Sequence, residues 1–270
     1  MGSIYTDRSE YALSTWTLDG LGLRDALGAI RDAGFSDVEI WADNVHLDPR
    51  LDPDVPQAKR WLREFGQSLH SIHAPFRGFT PRPASDEDFL RWRMDLWHKT
   101  IDYCAELSCP IMVVHALNTR EYRYTLPQAH VIRDSLAELC EHGARAGVMV
   151  ALENIPGGKG PDDILCTLAS QRALFPVEGL KYCLDIGHVP LNGSDLFAEA
   201  DAAGADLVTL HIHNNDLTRD SHNLPDDGLI DWPGLRSHLR RNGYTGKFVL
   251  EVEGRGDQEQ VLRDISALFD

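Results

Sequence analysis

The chain has 270 residues, and its 43% apolar and 25% charged content supplies enough material for a packed core, which makes the disordered and membrane classes poor fits. The 42 acidic residues against 26 basic ones give a net charge of −16, which disfavours loose association with nucleic acid or anionic membrane while leaving room for a locally basic cleft. No run approaches the roughly 18 apolar residues of a membrane span, and Met1 to Glu10 lacks the apolar centre of a signal peptide, so a cytoplasmic location without a membrane partner is expected.

Apolar runs rich in Val, Ile and Leu alternate with stretches of helical period. In chain order the pattern predicts strand 11–18 and helix 22–33, strand 37–42 and helix 55–66, then strand 68–75 and helix 86–107. Strand 110–116 and helix 127–145 follow, then strand 148–155 and helix 161–174, and strand 180–188 and helix 194–203. Strand 207–215 with helix 232–242 and strand 248–254 with helix 257–269 complete the series. Eight β-α pairs over 1–270 predict one α/β domain, a single (β/α)8 TIM barrel, a fold that typically needs about 250 residues. Gly34, Gly147, Gly204 and Gly243 sit just past helical patterns, where a left-handed residue ends a helix. The long irregular stretch 214–231 is expected to be functional. Cys104, Cys109, Cys140, Cys166 and Cys183 form no CxxC pair and read as buried thiols.

In a parallel barrel the C-terminal ends of the strands converge on one mouth, where the active site sits. Here those ends carry chemistry: Ser71-Ile72-His73-Ala74-Pro75, Val113-Val114-His115, Ala151-Leu152-Glu153-Asn154, Cys183-Leu184-Asp185-Ile186-Gly187-His188, Leu210-His211-Ile212-His213-Asn214 and Val249-Leu250-Glu251. Glu153 and Glu251, facing across the mouth, could bind one cation and exchange protons with either face of a substrate; a structural ion pair is the competing role. Asp185 and His188 form a D-x-x-H turn, and His211 opens an H-x-H pair whose members share a face. Mixed oxygen and imidazole donors suit Mn²⁺, Zn²⁺, Co²⁺ or Fe²⁺ better than Ca²⁺, with Mg²⁺ also in range.

His213 reads as a substrate contact or as a support for the ligands. His73 and His115 are ligands of a further ion or hydrogen-bond donors to substrate. Asp220 and His222 form a D-x-H pair in the long loop, a spacing that can serve one ion. On strand two, Glu39 and Trp41 alternate with Val38 and Ile40, which puts the acid at the mouth and the indole on an apolar wall; core packing competes for Trp41 and for Trp16. Phe76 and Phe79 are candidates for a lid over substrate. No GxGxxG follows the first strand and no GxxxxGK[ST] occurs, so dinucleotide and P-loop readings lack their fingerprints. Gly157-Gly158-Lys159-Gly160 could cradle a phosphate but reads better as a loop tip. Ser194 and Ser237 lack the context of a hydrolase nucleophile.

These strand ends resemble the xylose isomerase-like TIM-barrel superfamily, which groups sugar phosphate isomerases and epimerases with the endonuclease IV (AP endonuclease family 2) enzymes. The likeness spans almost the whole chain and is most specific from Leu207 to Gly254, where His-Ile-His-Asn-Asn-Asp, Asp-Ser-His, Gly-Leu-Ile-Asp-Trp, Gly-Tyr-Thr-Gly and Val-Leu-Glu follow the superfamily's order. Likeness to its ketose epimerases implies one divalent ion on Glu153, Asp185, His211 and Glu251. It also implies that both glutamates act as acid and base through a metal-stabilised enediolate, with His188 orienting a substrate oxygen. That is a metal-dependent isomerase or epimerase of a sugar, sugar acid or cyclitol.

Likeness to the endonuclease IV enzymes implies instead a multinuclear zinc hydrolase of phosphodiesters. There His73, His115, His188, Asp220 and His222 would join the four ligands, for up to three ions per chain. Departures are Asp226-Asp227-Gly228 where many relatives have Gly-Glu-Gly, His115-Ala116 in place of His-Pro-Gly, and no DNA-wedging loops after strands two and three. A small polyol or sugar is therefore the expected partner, with nucleic acid the alternative. A sugar-binding subunit without turnover is a third reading. Barrels of this type often form homo-oligomers.

Overall fold

The computed structural model describes residues 4–76, 85–116, 129–157, 166–254 and 256–270. Eight parallel strands close a barrel in the order of the sequence, with the last strand paired to the first. They are β1 (Tyr11–Ser14), β2 (Asp37–Trp41), β3 (Ser68–His73), β4 (Ile111–Val114), β5 (Met149–Glu153), β6 (Lys181–Asp185), β7 (Leu207–Ile212) and β8 (Phe248–Leu250). The helices are α1 (Leu23–Asp32), α2 (Val55–Phe65), α3 (Asp86–Leu107), α4 (Ala129–Ala146), α5 (Leu168–Leu174), α6 (His188–Leu191), α7 (Leu196–Ala203), α8 (Trp232–Arg241) and α9 (Gln258–Ala267). Every predicted strand is present.

The predicted strands run past the observed ends, and at two of them the cause is visible. Thr15–Leu18 leaves β1 as a 3-10 turn, started by the Ser14 side chain accepting from the Trp16 amide. Beyond Asp185 the chain turns into α6, because Asp185 Oδ1 accepts the His188 amide at 3.0 Å. Helix starts follow a repeated device in which a side-chain oxygen accepts an orphan amide of the first turn: Asp54 before α2, Ser85 before α3, Thr167 before α5, Asp195 before α7, Asp231 before α8 and Asp257 before α9. Gly34, Gly147, Gly204 and Gly243 all have positive φ, as their places after helices predicted.

Alternation along each strand sorts the core into two shells. Met112, Val114, Val150, Leu152, Tyr182, Leu184, Leu210 and Ile212 face outward into the apolar layer under the helices. Ile111, Val113, Ala151 and Cys183 fill the barrel interior with Met149 and Val208. Continuing the inward series of β4, β5 and β6 leads to His115, Glu153 and Asp185, so the same period that packs the barrel aims those groups into its mouth. All five cysteines are free and buried. Among the described residues no helix is long and apolar enough to cross a membrane.

Helix α4 approaches β5 so closely that a Cβ on Gly143 would lie 2.5 Å from the Val148 carbonyl oxygen. Backbone cannot yield as a side-chain tip can. Gly143→Ala is expected to lower stability by about 1–3 kcal/mol, the usual range for overpacking, read as a lower denaturant midpoint with an unchanged slope.

Candidate active site at the barrel mouth

The ends of β5, β6, β7 and β8 bring four side chains together. Around His211 Nδ1 lie Glu251 Oε2 at 3.3 Å, Glu153 Oε1 at 3.4 Å and Asp185 Oδ2 at 3.9 Å. All four residues are buried, and Nδ1 has no hydrogen-bond partner. A buried, unpartnered nitrogen ringed by carboxylate oxygens fits a divalent cation. Bonds of about 2.0–2.2 Å would place neighbouring donors about 3–3.4 Å apart, near the spacings found.

Glu153 is the hub. Its Oε2 accepts from Nε2 of His73 at 3.1 Å and of His115 at 3.2 Å, while its Oε1 faces His211 and, at 3.7 Å, His188. Burial opposes its charge, but the facing His211 and His115 outweigh that and hold its carboxyl well below the usual range. Glu251 goes the other way in the metal-free chain. Burial raises it, the carboxylates of Glu153 and Glu39 add to the rise, and His211 and His222 only partly offset it.

A second cluster lies beside the first. His188, His213, Asp220 and His222 each offer a donor atom, all within 4.8 Å of one another. Asp220 accepts from His188 Nε2 at 3.2 Å and faces His222 Nε2 at 3.3 Å. His213 Nε2 sits 3.0 and 3.1 Å from the two oxygens of Asp185, and its ring stacks on His222 with centroids 3.7 Å apart. The stack exists because position 187 is glycine: a Cβ there would meet His213 Cε1 at 1.8 Å.

Backbone carbonyls orient three of these rings. The Nδ1–H of His73 donates to Ala74, that of His188 to Asn154 and that of His222 to Glu251, at 2.8 to 2.9 Å, which turns each Nε2 toward the carboxylates. Asn154 also locks the frame. Its side chain donates to the Asp185 carbonyl and accepts from the Asp185 amide, so β5 and β6 carry their two acids in fixed register. The sequence displayed Asn154 next to Glu153 without a signal for this role.

Of the expected substrate contacts, Phe76 packs over His115 and His73 with centroids 4.2 and 5.1 Å away, and Trp41 stands behind it at 6.4 Å, only 2% exposed. Trp16, half-buried, packs on His222. Glu39 is not at the mouth surface. It is fully buried against His211, two residues short of the end of β2, and a bulge at His70 of β3 sets Ser71 opposite it. Gly157 donates its amide to Asn192 Oδ1, which leaves that amide unavailable for a phosphate. Phe79 and Gly158-Lys159-Gly160 lie outside the described residues.

The match to known proteins is broad and distant. Residues 27–270 match the family model described as xylose isomerase-like TIM barrel. Fructoselysine 3-epimerase of Shigella flexneri is 24% identical over 241 residues, which cover 83% of this chain and 84% of that one. Among solved structures, a D-tagatose 3-epimerase-like protein superposes with a TM-score of 0.77 at 19% identity, covering 96% of this chain and 98% of its own. An AP endonuclease, family 2, from Brucella melitensis gives 0.76 at 18% identity, covering 97% and 100%. At these identities the structures establish the fold.

The second cluster makes a pH prediction for the metal-free protein. Burial opposes charge on His188, but Asp185, Asp220 and Glu153 outweigh it and push its pKa up to about 10. Asp220, with Glu251 and Asp185, likewise overcomes burial and lifts His222 to about 9. Both values lie above the unfolded 6.5, so the folded chain holds more protons in that window and its stability falls as pH rises. The Tm is expected to decline from about pH 7 to 10, and Asp220→Asn should flatten the decline. A parent Tm that stays level or climbs over that range contradicts this origin.

Proposed function

The chain belongs to the xylose isomerase-like TIM-barrel family, and on that premise we propose that it isomerises or epimerises a sugar, sugar acid or cyclitol with a divalent cation. The observation that carries this reading is the unpartnered Nδ1 of His211 facing carboxylate oxygens of Glu153, Asp185 and Glu251. Those four residues would hold the ion, with Mn²⁺ or Zn²⁺ first and Co²⁺, Fe²⁺ or Mg²⁺ as alternatives. When bound, the ion supplies Lewis acidity toward a substrate carbonyl and its vicinal hydroxyl, which acidifies the C–H between them.

The proton transfers belong to the two glutamates. Glu153 and Glu251 come from different strands, so one takes the proton from a face of the reacting carbon and the other delivers it. His188, turned inward by Asn154, orients a substrate oxygen, and His213 donates from beside Asp185. Phe76, backed by Trp41, forms the apolar side of the cavity and keeps water from the reacting carbon. The likeness to fructoselysine 3-epimerase supports a sugar substrate.

The His188, His213, Asp220 and His222 cluster favours a second reading, in which further ions serve phosphodiester hydrolysis. Metal content per folded chain separates the two. About one tightly held ion supports proton transfer, whereas about three, chiefly zinc, would put hydrolysis first.

For the leading reading, Glu153→Gln and Glu251→Gln should each cut solvent deuterium incorporation into substrate by about 10²- to 10⁴-fold, the usual contribution of a general acid or base. The fold should survive both changes. A panel of ketoses, sugar acids, cyclitols and fructoselysine, followed by NMR in D₂O, makes the measurement. Absence of exchange with the whole panel, or unchanged exchange in either variant, overturns the proposal.

A further inference from the structure

His211 differs from the other oriented histidines of the mouth. His73, His188 and His222 donate Nδ1–H to main-chain carbonyls and aim Nε2 inward. His211 aims Nδ1 inward instead, and its Nε2 lies 3.2 Å from Oε2 of Glu39. No carbonyl takes that role. Glu39 and His211 are both 0% exposed, so water cannot substitute.

Glu39 is itself held in place. Ser71 Oγ donates to the same Oε2 at 2.7 Å, leaving that oxygen one direction in which to accept from His211. The contact depends on an irregularity of the sheet: the pairing runs Val38 with Leu69 and then Glu39 with Ser71, skipping His70. Such bulges re-aim a side chain at a cost in regular pairing and are found beside functional sites. Burying a carboxylate is costly unless it is paired and hydrogen-bonded. Nothing in barrel packing requires an acid at position 39.

We infer that Glu39 is a positioning residue for the metal ligand His211, accepting its Nε2–H so that the Nδ1 lone pair points at Glu153, Asp185 and Glu251. An imidazole carries one proton when it ligates, and the hydrogen bond made by one nitrogen decides which nitrogen is free to coordinate. A carboxylate acceptor also makes the ring a stronger donor than a carbonyl would. Glu39 therefore acts through His211. This inference rests on the assignment of His211 as a ligand.

The test is a double-mutant cycle on metal affinity, with Mn²⁺ and Zn²⁺ titrated into chelator-treated protein. Glu39→Gln should weaken binding about 10- to 100-fold, the usual effect of removing such a partner. In a His211→Ala background the same change should have almost no further effect, since residues acting as a unit are non-additive. Zn²⁺-loaded protein labelled with ¹⁵N-histidine supplies an independent signature: parent His211 should show a protonated Nε2 and a coordinated Nδ1, with the Nε2 signal shifted in Glu39→Gln. Parent-like affinity in Glu39→Gln, equal losses in both backgrounds, or coordination through Nε2 each overturns the inference alone. A parent that binds neither ion removes the ligand assignment together with it.

Discussion

Three carboxylates share one buried imidazole nitrogen, and the rest of the mouth is arranged around that fact. Glu153, Asp185 and Glu251 are all less than a tenth exposed, and each removal of a carboxylate charge from water costs several kcal/mol. Like charges at this distance add repulsion. In the metal-free chain the opposing charge comes from protons on His73, His188, His211 and His222, whose pKa values are all raised despite burial. A divalent cation would supply that charge more compactly and would release the extra proton of His211, because a ligating histidine must be neutral. Proton and cation are then alternative occupants of one electrostatic environment.

The barrel makes this crowding possible by spreading its cost. The three acids of the set, Glu153, Asp185 and Glu251, come from the ends of three different strands, so no local segment has to hold two of them during folding. Orientation is assigned to groups that are satisfied anyway: carbonyls beyond the strands hold His73, His188 and His222, and Asn154 bridges β5 to β6. Glycine at 187 admits the His213 ring against the chain, and glycine at 228 leaves space for Asn214, where a Cβ would come within 2.2 Å of its Oδ1. Asn214 in turn holds the long loop closed through a pair of main-chain bonds with Asn223. That loop carries Asp220 and His222 to the mouth.

Most of this architecture is legible in the sequence because two periodicities agree. Apolar runs set between stretches of helical period located all eight strands, and the polar residues that terminate them are those that meet. What sequence left hidden depends on three-dimensional detail. His188 reads as the end of a strand, yet the Asp185 side chain captures its amide and starts a helix. Glu39 and Trp41 face inward as their alternation predicts, but Glu39 stands two residues before the end of β2, where a bulge in β3 sets Ser71 opposite it and it is buried against His211. Asn154 is visible only as a polar residue after an acid. A register shift and a side-chain bridge between strands leave no periodic trace.

Everything above turns on whether Glu153, Asp185, His211 and Glu251 hold one divalent cation at the mouth. Anomalous diffraction at the manganese edge, from crystals grown with Mn²⁺, tests it directly. One strong peak is expected about 2.0–2.3 Å from His211 Nδ1 and from an oxygen of each acid. No peak there, or a peak confined to the His188, His213, Asp220 and His222 cluster, would contradict it.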